Sequence, residues 1–537
     1  MRVFCLCFFV LALVNLNTNA QWNPNTFVNL EVSGLNCSDQ QSISTSDGKT
    51  WIAYYSQNSG TGNYDMRAQL LDINGNKLLG ANGILVSSQP SGTATFVFNV
   101  CKDIFDNLVI AFQYEIGGNL NAVVAKVNAD GTLPWGNGVV LGEGLAPYPA
   151  ITKTNEVVVA WNNNSPSTTY IQKISSSGTL AWSSPTAVTV GTSNTTRAQV
   201  VANANGDFTL VFQKRSFGIS TTLYAQRYTS GGAPIWTAPV QISNLTSSGA
   251  RYYSILGDGN TVYFGYYVAS GSRFFAYVQK ITETGALPWG INGSPVSSYS
   301  TGADPQQQTT NIAHDNSSPY IWSVTTYSNP AQTAYGVYVQ KFDTTSGTVL
   351  LNPQGKEVYP ISSNYDTQTG ELSLVNDAPF LMSYDVNYKI YATRLNSNGD
   401  FYWTSNRIEL SSTTSSLAQK KVVSHLRKQL MVSRWLFGTK TVELNTGLMR
   451  KTFLSVAFCP LCFRAGRQKK EKTTPHYCNG PLLVKSIVIS ILLKEARTAR
   501  LLKASAPSKV RPPMATVVIV NFILLLMRIL NLIIFIA

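Results

Sequence analysis

The stretch YVQKITETGALPWG, residues 277–290, decides how the rest of the chain is read. It joins a β-prone run, Tyr-Val-Gln-Lys-Ile, to a polar turn ending in Gly285 and then, four residues on, to Trp289. The same order recurs as VVAKVNADGTLPWG from Val123, YIQKISSSGTLAW from Tyr170, LYAQRYTSGGAPIW from Leu223 and IYATRLNSNGDFYW from Ile390. Looser copies, MRAQLLDINGNKLLG from Met66 and VYVQKFDTTSGTVLL from Val337, bring the number to seven. The turn glycines are Gly75, Gly131, Gly178, Gly232, Gly285, Gly347 and Gly399, spaced by 56, 47, 54, 53, 62 and 52 residues. Four residues after each stands Leu79, Trp135, Trp182, Trp236, Trp289, Leu351 or Trp403. Glycine accepts the positive φ of a tight turn. A large apolar residue at a fixed offset beyond it points to packing between neighbouring sheets.

Each unit has a second β-prone run upstream, entered by an Asp, Asn or Gly turn, as in SDGKTWIAYY, FDNLVIAFQY and DGNTVYFGYY. Short β-branched and aromatic runs between polar turns indicate strands. No window before Ser411 has a helical period. A unit of about 54 residues then holds four strands, the size of one β-propeller blade. One blade cannot bury both its faces, so its neighbours must supply the core. The expected fold is all-β, a propeller of seven visible units over residues 21–424, with an open solenoid of the same units as the alternative. NTFVNLEVSG, from Asn25, resembles the closing strand of a unit with nothing before it. Pairing it with the last blade would remove an open edge.

Residues 1–20 have the order of a secretory signal: Arg2, an apolar run from Val3 to Val14, and small residues before Gln21. The mature front part keeps Cys37 and Cys101, in a compartment that permits a disulfide. They do not fall at equivalent repeat positions, and whether they pair is left open.

The overall charge of +14 suggests a nucleic-acid binder until the chain is divided. From Lys420 onward there are 21 Lys and Arg against three Glu, or +18. The front part keeps 20 basic and 24 acidic residues, or −4. The stretch HLRKQLMVSRWLFGTKTVELNTGLMRKTF, from His425, can be encoded so that a frame two nucleotides later reads TTDGQSVAVWDEDRGAEYGAYAQNF from Lys428. That product has the DG turn, a VAVW strand and YAQNF in place of YVQKI. Residues 425–537 are therefore expected to be a frameshifted product, unstructured or poorly packed, with an eighth unit in the parent gene. This removes the nucleic-acid reading. It also discounts a zinc site at Cys459, Cys462, His476 and Cys478. The apolar segment 514–537 would be the one membrane-adherent part.

Units built on YAQKI…G…W with a DG-strand-AW turn, behind a signal peptide, resemble the secreted β-propeller-like repeat proteins of Bacteroidota-type bacteria. The resemblance covers residues 25–424. It implies export as type IX secretion cargo, with an extracellular or cell-surface location. Such proteins end in a C-terminal sorting domain. This chain shows no Tyr-Pro-Asn-Pro-like start to one, so a periplasmic location follows if that signal is lost.

No catalytic constellation, metal set or cofactor motif stands out. His314 falls at the Asp/Asn turn of its unit, where a loop role is expected. STSDGKTW, residues 44–51, approaches a sialidase-type Asp-box but carries Ser46 at the Asp position. Asp65, Glu115, Glu143, Glu283 and Asp385 are acidic residues that the sequence cannot bring into pairs, and glycoside hydrolysis requires a pair. The repeating cations Lys126, Lys173, Arg227, Lys280, Lys341 and Arg394 are expected to face solvent on one strand of each blade, or to form a cationic ring for an acidic glycan. Non-repeating residues are better site candidates, because function breaks a repeat's regularity. Arg197, Arg215, Arg251, Tyr252, Tyr253 and Arg273 are the candidate ligand-binding set, with Tyr263, Tyr266 and Tyr267 nearby. The expected function is a monomeric, non-enzymatic binding module for an extracellular glycan or protein. A sialidase-like or lyase-like enzyme would instead show carboxylates or arginines converging on a central channel. A purely structural array would show no concave pocket.

Overall fold

The computed structural model describes residues 30–411 apart from 92–96, 164–167, 216–220, 248–252, 271–272, 317, 364–371 and 385–388, together with strands at 433–443, 450–460 and 485–493. Seven antiparallel four-stranded meanders follow one another along the chain. We number them blades I to VII, at residues 37–91, 99–143, 145–188, 195–247, 253–295, 306–362 and 372–411. In blade I the strands are Cys37–Ser44, Thr50–Gln57, Tyr64–Leu71 and Ile84–Ser91. The DG turn joins the first two strands, YxQKI-type runs form the third, and the Gly turn leads to the fourth. The first strand of each blade touches the first strand of the next, which places the first strands innermost. No helix occurs among the described residues. The fold is a β-propeller.

The core lies between blades. One apolar cluster joins Trp51, Tyr55 and Met66 of blade I to Phe98, Ile110 and Phe112 of blade II. Others join II to III, III to IV, IV to V, V to VI and VI to VII. Each fully buried Val, Leu, Ile or Phe removes enough apolar surface to contribute about 1.5–3 kcal/mol.

All seven turn glycines have φ between 75° and 88°. Their second constraint is the preceding blade's anchor side chain. A β-carbon on Gly131 would lie 3.1 Å from Leu79, on Gly178 2.4 Å from Trp135, and on Gly232 3.0 Å from Trp182. On Gly285 it would lie 3.1 Å from Trp236, on Gly347 2.7 Å from Trp289, and on Gly399 3.1 Å from Leu351. Each anchor therefore lies on the glycine of the following unit, forming a ladder that crosses every boundary from I to VII. Three of the rings also bond across the boundary. The Nε1 of Trp135 donates to Ser176 O (3.3 Å), that of Trp236 to Glu283 O (3.0 Å) and that of Trp289 to Thr345 O (3.3 Å).

The signal segment 1–20 and the first part of the expected closing strand lie outside the described residues. Residues 30–36 form no strand, although Val32 and Ser33 are fully buried. Cys37 and Cys101 form no disulfide, and burial pushes the Cys37 thiol up to about 12. In the basic tail, Ser433–Glu443, Arg450–Pro460 and Lys485–Leu493 form a three-stranded antiparallel sheet. The apolar segment 514–537 lies outside the described residues.

Candidate binding site

The repeating cations do not face solvent and do not line a ligand face, which corrects both expectations. Lys126, Lys173, Arg227, Lys341 and Arg394 are buried. Lys126 pairs with Asp103 (2.6 Å) and Lys173 with Glu156 (2.9 Å), each acid lying at the turn between the first two strands of the same blade. Arg227 bonds Asp207 in its own blade (2.8 Å), then reaches Asn260 O (3.0 Å) and Glu283 (3.4 Å) in blade V. Lys280 Nζ donates to Thr344 O of blade VI (2.6 Å), and Lys341 Nζ to Ser397 O of blade VII (2.9 Å). Arg394 stacks on Tyr402 at 3.8 Å. Carboxylate pairing offsets the burial of Lys126, Lys173 and Arg227, whereas Lys341 rests on a carbonyl and ring faces and Arg394 on a ring face. The cations act as staples of the blades and their boundaries.

His314 is likewise placed differently from its expected turn. It ends the first strand of blade VI, Gln306–His314, with a side chain 1% exposed. Its Nδ1 meets Tyr320 O at 2.8 Å and its Nε2 meets Asp258 of blade V at 3.1 Å. Both contacts hold strand and blade together. The Asp-box-like turn is structural as well: Thr45 Oγ1 donates to Asp47 (2.6 Å), and Trp51 Nε1 donates to Asp106 O of blade II (2.8 Å).

The candidate set is dispersed. Arg197 is a bulge residue of blade IV's innermost strand, at φ 53°, with its backbone N–H donated to Asn162 of blade III (3.2 Å). Arg215 ends the second strand of blade IV, and Tyr253 begins the first strand of blade V opposite Tyr266. Arg251 and Tyr252 lie outside the described residues. Arg273 begins the third strand of blade V, where Nη2 donates to Asp304 O (3.2 Å) and the guanidinium lies over Phe275 (5.3 Å). Tyr263 and Tyr266 are buried between blades, and Tyr266 donates to Asn292 O at 2.8 Å. Among the acids, Asp65 is bonded by Asn58 (3.3 Å), Glu143 by Asn119 (2.8 Å) and Glu283 by Arg227 and Asn260. Asp385 lies outside the described residues. Among the described residues, no three His, Cys, Asp or Glu side chains gather as a metal set.

A cleft that the candidate set does not include opens at the outer boundary of blades V and VI. It is an open depression of about 290 Å³ lined by Tyr299, Tyr338, Asn352, Gln354, Gly355, Lys356 and Glu357. Tyr338, in the third strand of blade VI, stacks on the buried Tyr327 (4.1 Å, 12°) and donates to Glu357 Oε2 at 2.8 Å. Tyr299 meets Tyr327 edge-on at 6.2 Å. Burial, then the neighbouring Glu357 carboxylate, pushes the Tyr338 phenol well above its ordinary value, so it remains a donor. The turn opposite is fixed: Tyr327 donates to Gln354 O (2.8 Å), Gln354 Nε2 to Ser298 Oγ (3.2 Å), and Gly355 turns the chain at φ 87°. The result is an apolar wall of tyrosine rings beside an amide, an ammonium and an exposed carboxylate.

The sequence signal for this cleft is a departure from the repeat. Counting from the turn glycine, Asn352 and Lys356 stand where blade V has Gly290 and Ser294 and blade I has Gly80 and Ile84, whereas Glu357 has a counterpart in Glu409 of blade VII, opposite Tyr391 as Glu357 is opposite Tyr338.

No protein family and no characterised protein matches the chain at the level of sequence. Solved structures match its fold. The BP39L lectin from Burkholderia pseudomallei is 11% identical over 70% of this chain and 99% of its own, with a TM-score of 0.45. The Dos1 propeller is 11% identical over 71% and 88%, with a TM-score of 0.41. The β-propeller domain of the Trilobed protease from Pyrococcus furiosus is 7% identical over 71% and 97%, with a TM-score of 0.39. All three are propeller likenesses at the level of fold.

Proposed function

We propose that the protein is a secreted or cell-surface propeller that binds an extracellular glycan in the cleft between blades V and VI, without transforming it. The observation that carries this reading is that the polar groups of Asn352, Lys356 and Glu357 line one cleft together with the rings of Tyr299 and Tyr338. Aromatic rings give a sugar an apolar face at low entropic cost, and a few fixed polar groups set its orientation. A concavity of about 290 Å³ suits one or two sugar rings rather than the broad flat contact of a protein partner. Binding without catalysis is supported by the cleft's single carboxylate, Glu357, which already accepts the Tyr338 hydroxyl. Glycoside hydrolysis needs a second carboxylate across the bond. The signal at residues 1–20 supports export, and the resemblance to type IX cargo supports a surface role.

The test is a glycan array probed with the protein and with Tyr299→Ala and Glu357→Gln. Retained saccharides that are lost from both variants, with no released product on prolonged incubation, support the reading. Binding that survives both substitutions, or steady release of cleaved sugar, contradicts it.

A further inference from the structure

The contact made by residues 30–36 repeats four hydrogen bonds of one made inside the ring. At the IV–V boundary, Ile242-Ser243-Asn244-Leu245 belong to the fourth strand of blade IV. There Asn292 Oδ1 of blade V accepts from Ser243 Oγ (2.9 Å) and Asn244 N (2.9 Å), Leu245 N donates to Ser243 Oγ (3.2 Å), and Tyr266 donates to Asn292 O (2.8 Å). At the front of blade I, Asn82 Oδ1 accepts from Ser33 Oγ (3.5 Å) and Gly34 N (2.9 Å), Leu35 N donates to Ser33 Oγ (3.2 Å), and Tyr54 donates to Asn82 O (2.5 Å). Val32 is fully buried, as Ile242 is. Val32-Ser33-Gly34-Leu35 thus hold the place of a fourth strand belonging to a blade that precedes blade I.

On the matching side, blade VII shares its apolar cluster with no other blade among the described residues. Its last cluster, with Phe380, Met382, Ile390, Trp403 and Leu410, contains residues of blade VII alone. Trp403 is the seventh rung of the anchor ladder and has no following glycine among the described residues. The tail strands lie against Ile408–Ser411 on one side and Cys37–Ser44 on the other, so a sheet fits between blades VII and I.

The codons beyond the YAQNF match carry the missing rung. Read two nucleotides later, Val456-Ala457 permit Gly, the next position is Phe, Leu, Ile or Val, Phe458-Cys459 force Leu, and Cys459-Pro460 force Ser or Pro. These codons admit Gly-x-Leu-Pro, as at Gly131 and Gly285, with Leu permitted and Trp excluded at the next position, as at Leu79 and Leu351, and the Gly falls 57 codons after Gly399, within the observed spacings of 47 to 62. We propose that the ring is built for eight blades. Its eighth has residues 30–36 in the place of the outer strand and three inner strands encoded in the shifted frame.

The test compares the chain as given with a chain whose frame is restored ahead of the Lys428 codon, each with Asn82→Ala or Asn292→Ala. Restoration is expected to raise Tm. In the restored chain both substitutions are expected to lower it alike, by about 2–4 °C for a lost buried polar contact. An unchanged Tm on restoration overturns the proposal. So does an Asn82→Ala variant that matches its parent while Asn292→Ala loses stability.

Discussion

The ring of Trp289 lies so close to Gly347 that a β-carbon there would stand 2.7 Å from it, and 2.4 Å from Ser294 Oγ. The blades are held at this distance by a residue with no side chain, in a backbone conformation (φ 75°) that side chains rarely adopt.

Gly347→Ala should therefore destabilise more than a loop glycine of similar conformation. Gly62 has φ 77° and nothing within 4 Å of a built β-carbon, so Gly62→Ala pays only backbone strain of about 1 kcal/mol. Gly347→Ala adds overpacking of about 1–3 kcal/mol. Urea unfolding of the two variants side by side checks the difference, and equal midpoints would remove the ladder from the account.

Arg227 is 1% exposed and joins Asp207 to blade V. Arg227→Ala leaves the Asp207 carboxylate without its cation and should cost about 3–5 kcal/mol. Adding Asp207→Asn should recover part of that loss. A double-mutant cycle by chemical denaturation measures the coupling, and additive losses would mean the pair is not a unit.

Acid should loosen blade II through Asp103. Burial works against its charge, but hydrogen bonds from Lys126 and Asn107 outweigh this and hold the carboxyl below its usual value. A depressed folded value means that the stabilisation is present above the unfolded value of about 3.9 and is lost as pH falls through the folded one. Tm measured from pH 6 to pH 2.5 should fall steeply at the acid end. In Asp103→Asn the fall should be shallower from a lower starting point; an identical pH profile would exclude this carboxylate as a contributor.

Much of the fold is legible because the repeat forces it. Glycine at one offset and tryptophan at another fix a turn and an anchor seven times over, and the strands between them follow from β-branched and aromatic runs. The direction of packing is not legible. Nothing in a linear sequence says that Trp289 lies on Gly347 rather than on Gly285, or that Lys126 turns inward to Asp103, since a lysine's periodicity is the same whether it faces water or a buried acid. His314 is illegible for the same reason: its turn-like neighbours mask a strand end whose partner, Asp258, is in another blade. The cleft at Glu357 is not legible because its turn, Asn-Pro-Gln-Gly-Lys-Glu, looks like an ordinary polar loop. Its meaning depends on Tyr299, supplied by the preceding unit.

The most direct measurement is a crystal structure of the protein with the saccharide it binds best. The account predicts a sugar ring between Tyr299 and Tyr338, with a hydroxyl within hydrogen-bonding distance of Glu357 and another near Asn352. A sugar found in the central channel beside Arg197, with the V–VI cleft empty, would contradict it.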